Sequence, residues 1–269
     1  MRADDPVTFA ISRLEFDVVW EHLRLGPFPT VYRMLGHGQT HDERARLVER
    51  AWASLEARGV GGPASLDPVL AGLLTVLSRP EREVDARFGH RGHPGRDVRA
   101  LAGVAGERAA LGVLDTDAFA FTEITPGGLS RAAVGLLPEH RSGEGHSVTL
   151  SSASFEAACA ASGDTAKGFR AALAERGMRP GDVDQLVGAL DGVFGGGQFG
   201  AATRDRWGKR HRADHVVGFV DTPSGRYLLE SKPTLGGAEL WTTVAPTDRP
   251  RLAAHIDALL TDLPRRLPT

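Results

Sequence analysis

The chain has 269 residues, of which 25% are charged and 41% hydrophobic, and its formal net charge is -2. This balance is typical of a soluble globular protein, and the small net charge excludes a global basic field that would hold nucleic acid or an anionic membrane. No stretch approaches the roughly 18 apolar residues of a membrane span, and the first residues, MRADD, are unlike a secretory signal. The single cysteine, Cys159, can form no internal disulfide, so we expect a cytoplasmic protein.

Three helices are predicted in the first 80 residues. Ser12 and Glu15 have the spacing of a capping box, which marks the start of the first helix. Thr40 and Glu43 have the same spacing at the start of the second helix, whose apolar residues recur with helical periodicity. The third helix covers about residues 68–78, where leucines recur with the same period.

Short β-like runs separated by turn residues follow from residue 82 to residue 125. Runs of this length with glycine and aspartate between them predict an antiparallel meander. A helix is then expected to begin at Pro126, because proline is favoured in the first helical turn. The four runs are REVDARFGH, DVRALAGVAG, RAALGVLD and AFAFTEIT.

The second half of the chain repeats this order. A brief strand, SVTL, precedes three short helices near residues 152–161, 165–176 and 181–193. A final helix is expected to open at Pro246. The four strand candidates between these helices are QFGAATRDRW, DHVVGFVDT, GRYLLESK and GAELWTTVA.

This repetition predicts an internal duplication. The expected fold is α+β, with a central antiparallel β-sheet of pseudo-twofold symmetry and one helical bundle from each half. The halves are expected to be residues 1–137 and 138–269, which together form one compact unit.

A glycine-rich segment matches a dinucleotide-binding pattern without its structural context. Gly195, Gly197 and Gly200 satisfy G-x-G-x-x-G, and Asp221 follows at the distance of a ribose-binding acid. A pyrophosphate site needs a strand before the glycines and a helix after them, whereas here a helix precedes and a strand follows. The glycines are therefore predicted to form a flexible hinge between helix and strand, and no cofactor is expected.

Other catalytic and metal-binding patterns are weak. His37 with His41 and His90 with His93 have spacings that allow a metal site, but the first pair is interrupted by a helix start and the second lies in a glycine-rich loop. There is no G-x-S-x-G nucleophile motif, and Cys159 lies between alanines on a predicted helix, as a small core residue would. We expect no metal site and no enzyme activity.

One basic segment, residues 204–212, is the best nucleic-acid candidate in the chain. It reads RDRWGKRHR, with Trp207 among the charges. Aromatic residues interleaved with basic ones are typical of single-strand binding, so an accessory protein that contacts nucleic acid is the alternative function. The other interpretation is a β-hairpin that turns at Gly208 and carries solvated charges. We favour the hairpin, because one patch in a slightly acidic protein supports only weak, salt-sensitive contact.

Several segments resemble, in order, the EspG family of ESX secretion-associated proteins of actinobacteria. The most specific are the run DTPSGRY and the closing segment WTTVAP. The others are SRLEFDVVWEHLRLG, HGQTHDERARL and GQFGAATRDRWGKR. This resemblance covers nearly the whole chain.

The resemblance implies a cytoplasmic specificity chaperone of a type VII secretion system. Such a protein binds PE/PPE-like heterodimers or another ESX substrate, shields an apolar tip of the partner's helical bundle, and uses no cofactor. A monomer or weak homodimer is expected.

The resemblance also implies a docking surface on the sheet of the second half. It would comprise residues 198–204 and 215–220, with the helix at 182–190 beside them. Strand alternation places Phe199, Ala201 and Thr203 on one face and their neighbours on the other, and leaves open which face meets the partner. The predicted partner-binding residues are Gln198, Phe199, Gly200, Ala202, Arg204, Val217 and Phe219, of which the apolar Phe199, Val217 and Phe219 also fit a role in the core.

Overall fold

The computed structural model describes residues 8–90, 97–163, 165–233, 237 and 239–263, without the side chain of His90. These ranges contain one large sheet, whose strand pairs are all antiparallel, together with α-helices and a short 3-10 helix. None of the described helices is both long enough and apolar enough to cross a bilayer. Cores form between the helices and the sheet.

The predicted elements follow in the predicted order, and the structure adds an initial strand and a short 3-10 helix to them. The first half has β1 (Thr8–Ser12), α1 (Arg13–His22), a 3-10 helix (Thr30–Tyr32), α2 (His41–Ala57), α3 (Pro68–Ser78), β2 (Arg82–His90), β3 (Val98–Ala105), β4 (Arg108–Asp115), β5 (Ala118–Ile124) and α4 (Leu129–Gly135). The second half has β6 (Val148–Ser151), α5 (Ser152–Ala161), α6 (Ala166–Glu175), α7 (Pro180–Leu190), β7 (Gly195–Arg204), β8 (Arg210–Arg212), β9 (Val217–Thr222), β10 (Gly225–Pro233), β11 (Leu240–Pro246) and α8 (Arg249–Thr261).

The order of strands across the sheet is symmetric about its centre. The path runs β1-β5-β4-β3-β2-β7-β9-β10-β11-β6, and the short β8 pairs with β7 beside this path. Each half thus contributes a meander and one outer strand that precedes its helices, and the halves meet where β2 pairs with β7 from Arg82↔Thr203 to His90↔Gly195. The expected α+β fold with a central antiparallel sheet is confirmed, while the division at residues 137 and 138 stays a prediction.

The two faces of the sheet differ in what covers them. On the closed face, α4 and α8 pack over the centre of the sheet and bury residues such as Ala86, Ala102 and Leu228. On the open face, α1–α3 cover β3–β5 at one end, and α5–α7 cover the outer strands of the second half at the other. The central strands β2 and β7 lie between these two bundles on the open face.

Local capping signals account for most helix starts. The Ser12 side chain accepts from the Glu15 N–H, and Glu15 accepts from the Ser12 N–H at 2.7 Å, so the predicted capping box is present. At α2, the Thr40 side chain accepts from the Glu43 N–H, but the Glu43 carboxylate accepts from the Gln39 N–H instead of the Thr40 N–H. The second capping box is therefore only half formed.

Two helices begin later than predicted. Pro126 precedes α4, because a turn in which the Gly128 N–H donates to the Thr125 carbonyl comes first. Pro246 is the last residue of β11, and α8 begins after Asp248, whose carboxylate accepts from the Arg251 N–H at 2.8 Å. The start of α8 thus has both an Asp248 side-chain cap and Pro250 in its first turn, the position at which proline is favoured.

The predicted glycine hinge is wrong. Gly195–Gly197 begin β7 and pair with both β2 and β9. A Cβ on Gly197 would lie 2.3 Å from the Arg87 carbonyl oxygen and 2.3 Å from the Phe88 Cβ. Glycine is required there because the strands approach closely, not because the segment is flexible.

Candidate docking surface

The centre of the open face is a polar, ion-paired surface. Because side chains alternate along a strand, Glu83, Asp85 and Arg87 of β2 share this face with Gln198 and Gly200 of β7. Gln198 is exposed, while Gly200 is buried. The surface is therefore built from charged side chains around small residues, not from apolar ones.

Two arginines of β8 cross over β7 and bind the acids of β2. Arg210 donates to Glu83 Oε1, with an Nε to Oε1 distance of 2.7 Å, and Arg212 donates to both carboxylate oxygens of Asp85. The hydrogen bond to Asp85 raises the pKa of the Arg212 guanidinium above its usual value. The small side chain of Ala202, buried at 0% exposure, leaves room for these crossings.

A second ion-paired group lies on β2 and β3. Arg87 donates through Nε and Nη2 to Asp97, with an Nη2 to Oδ2 distance of 2.9 Å. Arg99 Nη2 lies 3.5 Å from the same oxygen of Asp97, and its Nη1 donates to the Tyr32 carbonyl at 3.2 Å. These contacts join the 3-10 helix of the first bundle to the central strands.

The side of this surface next to the second bundle is more apolar. Helix α7 contacts β9, and partly buried hydrophobic side chains line the junction: Val187, Leu190, Val220 and Leu229. The predicted position of helix 182–190 beside the meander therefore agrees with the position of α7.

The structure separates the predicted partner-binding residues into two groups. Phe199, Val217 and Phe219 are 0–1% exposed in the core of the closed face, so they offer no surface to a partner. The others share the open face: Gln198, Gly200, Ala202 and Arg204. Sequence reasoning missed the ion pairs of β2, although the alternation R-E-V-D-A-R indicates a charged face on that strand.

The basic segment forms the favoured hairpin. Gly208 has φ +82° in the turn between β7 and β8, and Asp205 Oδ1 accepts from the backbone N–H groups of Trp207 and Lys209. The hydrogen bond from His211 lowers the pKa of Asp205. This network holds Trp207 at 76% exposure.

The hairpin leaves few cations for a polyanion. Arg210 and Arg212 are already paired with acids of β2, and the Arg206 guanidinium carbon lies 4.1 Å from the Trp207 ring centroid. Within the described ranges, Arg204, Arg206 and Lys209 are the residues of this segment whose charges have no acidic partner. So small a patch favours the hairpin interpretation over nucleic-acid binding.

Asp221, the acid at the ribose-binding position of the dinucleotide pattern, is paired with an arginine. Asp221 is 1% exposed and accepts from Arg226 through both oxygens, at 2.6 and 2.9 Å. Helix α7 precedes the glycines and β7 contains them, so the helix N-terminus that a pyrophosphate would need is not at that place.

The histidine pairs that allow a metal site are not joined into one by the described residues. His37 Nδ1 lies 2.9 Å from Asp17 Oδ2, and the described residues hold no group of three possible metal ligands. His93 and the side chain of His90 lie outside the described residues.

Cys159 is exposed on α5, so its predicted place in the core is wrong. Partial burial and nearby Glu156 raise the pKa of its thiol, which disfavours the reactive thiolate.

The fold and this surface define an α+β protein with a large antiparallel sheet and a charged sheet face between two helical bundles. The chain belongs to the EspG family, whose model matches residues 12–258. It is 25% identical over 267 residues to the ESX-1 secretion-associated protein EspG1 of Mycobacterium tuberculosis, a match that covers 97% of this chain and 89% of that protein.

A solved structure has the same fold. It is the Mycobacterium tuberculosis type VII secretion system chaperone EspG5 in complex with a PE25–PPE41 dimer, and it matches with a TM-score of 0.76 at 14% identity. The match covers 97% of this chain and 98% of that chain.

Proposed function

We propose that this protein is a cytoplasmic chaperone of a type VII secretion system that binds a PE/PPE-like helical heterodimer, or another ESX substrate, and delivers it to the secretion machinery. It acts by binding and not by catalysis. The observation that carries the proposal is the centre of the open face, which no described helix covers, on a fold shared with a chaperone solved together with such a dimer.

The open face offers the two kinds of contact that a substrate tip needs. The junction of α7 with β9 supplies apolar area, where Val187 and Val220 are partly buried. Shielding an apolar tip contributes about 25 cal/mol for each Å² removed from water, before ordering costs, and removes an aggregation hazard. The central strands supply polar contacts, and the proposed contacts there are Gln198 and Arg204. Gly200 and Ala202, which were predicted with them, are buried and leave room for the arginines of β8.

Co-purification tests this function. Each small helical pair encoded beside this chain is expressed with the tagged protein and washed at about 0.5 M salt, where exposed ion pairs are largely screened. We expect one pair to remain bound in fixed stoichiometry and to be less soluble without the chain, because apolar contacts persist in salt.

The control is the same chain expressed alone and washed at low and at high salt. Nucleic acid retained only at low salt, with no helical pair bound under any condition, would contradict the chaperone function and favour the basic hairpin instead. The mass of the complex also distinguishes the two expected states, a monomer and a weak homodimer, because a homodimer would double the number of copies of this chain.

A further inference from the structure

Two ion pairs at the centre of the open face present their cations outward. Glu83 has 8% of its side chain exposed against 36% for Arg210, and Asp85 has 17% against 39% for Arg212. The acids lie close to the sheet and the guanidinium groups lie above them. A partner that approaches this face meets arginine first.

Each outward arginine keeps hydrogen-bond donors that its own acid does not use. Arg210 binds Glu83 through Nε and Nη2 and leaves Nη1, while Arg212 binds Asp85 through its two terminal nitrogens and leaves Nε. Arg87 binds Asp97 through Nε and Nη2 and also leaves Nη1. Within the described part of the chain, these remaining donors have no acceptor.

The charges here exceed neutrality by one cation. Glu83 pairs with Arg210, Asp85 with Arg212 and Asp97 with Arg87, whose side chain is as exposed as that of Asp97, and Arg99 shares the carboxylate of Asp97. We call Arg87, Arg210 and Arg212 the arginine strip. Its unused donors and surplus cation fit an acceptor that is itself negatively charged.

We propose that the arginine strip binds carboxylate side chains at the tip of the helical substrate, so that acidic residues of the partner select this face. The inference rests on the proposed function and adds the chemistry of the partner. The nitrogens that remain on Arg210 and Arg212, two residues apart on one face of β8, can together donate directional N–H bonds to a carboxylate, which fixes orientation as well as affinity. A nucleic-acid backbone fits less well, because a surplus of one cation neutralises little of a dense line of phosphates.

Gly200 is the positioning residue in this arrangement. A Cβ there would lie 2.2 Å from Arg212 Nη2 and 2.9 Å from Asp85 Oδ2. Gly200→Val therefore moves the guanidinium of Arg212 without any change of charge. The end of an arginine side chain can shift, so the fold should tolerate this variant.

The test measures the dissociation constant of the co-purifying helical pair at 0.15 M and 0.5 M salt. We expect Arg210→Gln/Arg212→Gln to weaken binding about tenfold or more at 0.15 M and by less at 0.5 M. Asp85→Asn/Arg212→Gln removes an acid and a base together, so its net charge is unchanged, and it should still weaken binding because the donor is lost. Gly200→Val should weaken binding as well.

Two controls keep the result specific. Arg108→Gln removes a cation from the exposed pair with Glu123 on β4 and β5, outside the docking surface, and should bind like the wild type. A thermal melt of each variant confirms that it is folded. A substrate variant in which tip acids become lysines should lose affinity for the wild type and regain part of it with Arg212→Glu.

The outcomes separate the two proposals. A wild-type complex whose affinity and salt dependence are the same in the arginine variants overturns this inference and leaves the proposed function standing. A wild-type protein that binds no helical pair overturns the proposed function and this inference with it.

Discussion

Arg226→Ala is expected to lower the free energy of unfolding by about 3–5 kcal/mol, because it leaves the carboxylate of Asp221 buried without its cation. Arg226 is 0% exposed and Asp221 is 1% exposed. Arg226 also donates to the Pro138 carbonyl at 3.1 Å, so the variant loosens the segment that joins the two halves. Urea denaturation measures the change.

The matched control for this variant is Arg170→Ala. Arg170 pairs with Asp184, but the two side chains are 49% and 64% exposed, so the loss should stay below about 1 kcal/mol. The double variant Asp221→Leu/Arg226→Met should recover part of the stability, because a buried pair can be replaced by apolar groups at little cost. Equal losses for Arg226→Ala and Arg170→Ala would contradict this account.

Phe119→Ala is expected to cost about 3–5 kcal/mol in unfolding free energy, because it opens a cavity in the aromatic core beneath the first bundle. Phe119 is 0% exposed, and its ring centroid lies 4.1 Å from that of Phe16 and 4.9 Å from that of Tyr32. Thermal and urea unfolding measure the loss.

Leu35→Ala is the control for the aromatic core. Leu35 is 87% exposed in the loop after the 3-10 helix, so its replacement should change stability by no more than about 0.5 kcal/mol. If Phe119→Ala melted like the wild type, the first bundle would not depend on this core for its position on the sheet.

The aromatic core also connects stability to the docking surface. Tyr32 packs on Phe119, and its carbonyl accepts from Arg99 at the edge of the central strands. Loosening this core should therefore disturb the nearby Asp97 ion pairs. Stability and binding are expected to fall together in Phe119→Ala, whereas the arginine-strip variants should lose binding alone.

The elements with local signals were predicted from the sequence. The spans of α3, β2 and β4 agree with the structure, because proline, aspartate and glycine mark their ends and their apolar residues keep one period throughout. The internal repetition of elements then predicted the antiparallel sheet, because consecutive strands of each meander pair with one another in opposite directions.

Elements that depend on distant partners were missed. Strand β1, Thr8–Ser12, has only five residues, and it is a strand because it pairs with β5 from Thr8↔Thr122 to Ser12↔Ala118. Strand β8, Arg210–Arg212, has three residues and was predicted only as one arm of a hairpin. Short segments carry too few residues for their own periodicity to show a strand.

The candidate site was predicted only in part, because its contacts also join residues that are far apart in the chain. The alternation of side chains correctly placed Phe199 and Gln198 on opposite faces of β7. Which of these two residues is buried depends on α8, which follows much later in the chain and packs on the Phe199 side of β7. The pairing of Arg212 with Asp85 spans 127 residues and has no local signal. The charges of each segment are visible in the sequence, whereas their partners are set by the fold.

Site-specific photo-crosslinking tests the central claim most directly. A benzoylphenylalanine at Gln198 places the probe on the open face between the bundles, and one at Thr149, exposed on the opposite face near the edge of the sheet, is the control. We expect the co-purifying helical pair to crosslink to position 198 and not to position 149. Crosslinks from position 149 alone would contradict the assignment of the docking surface to the open face.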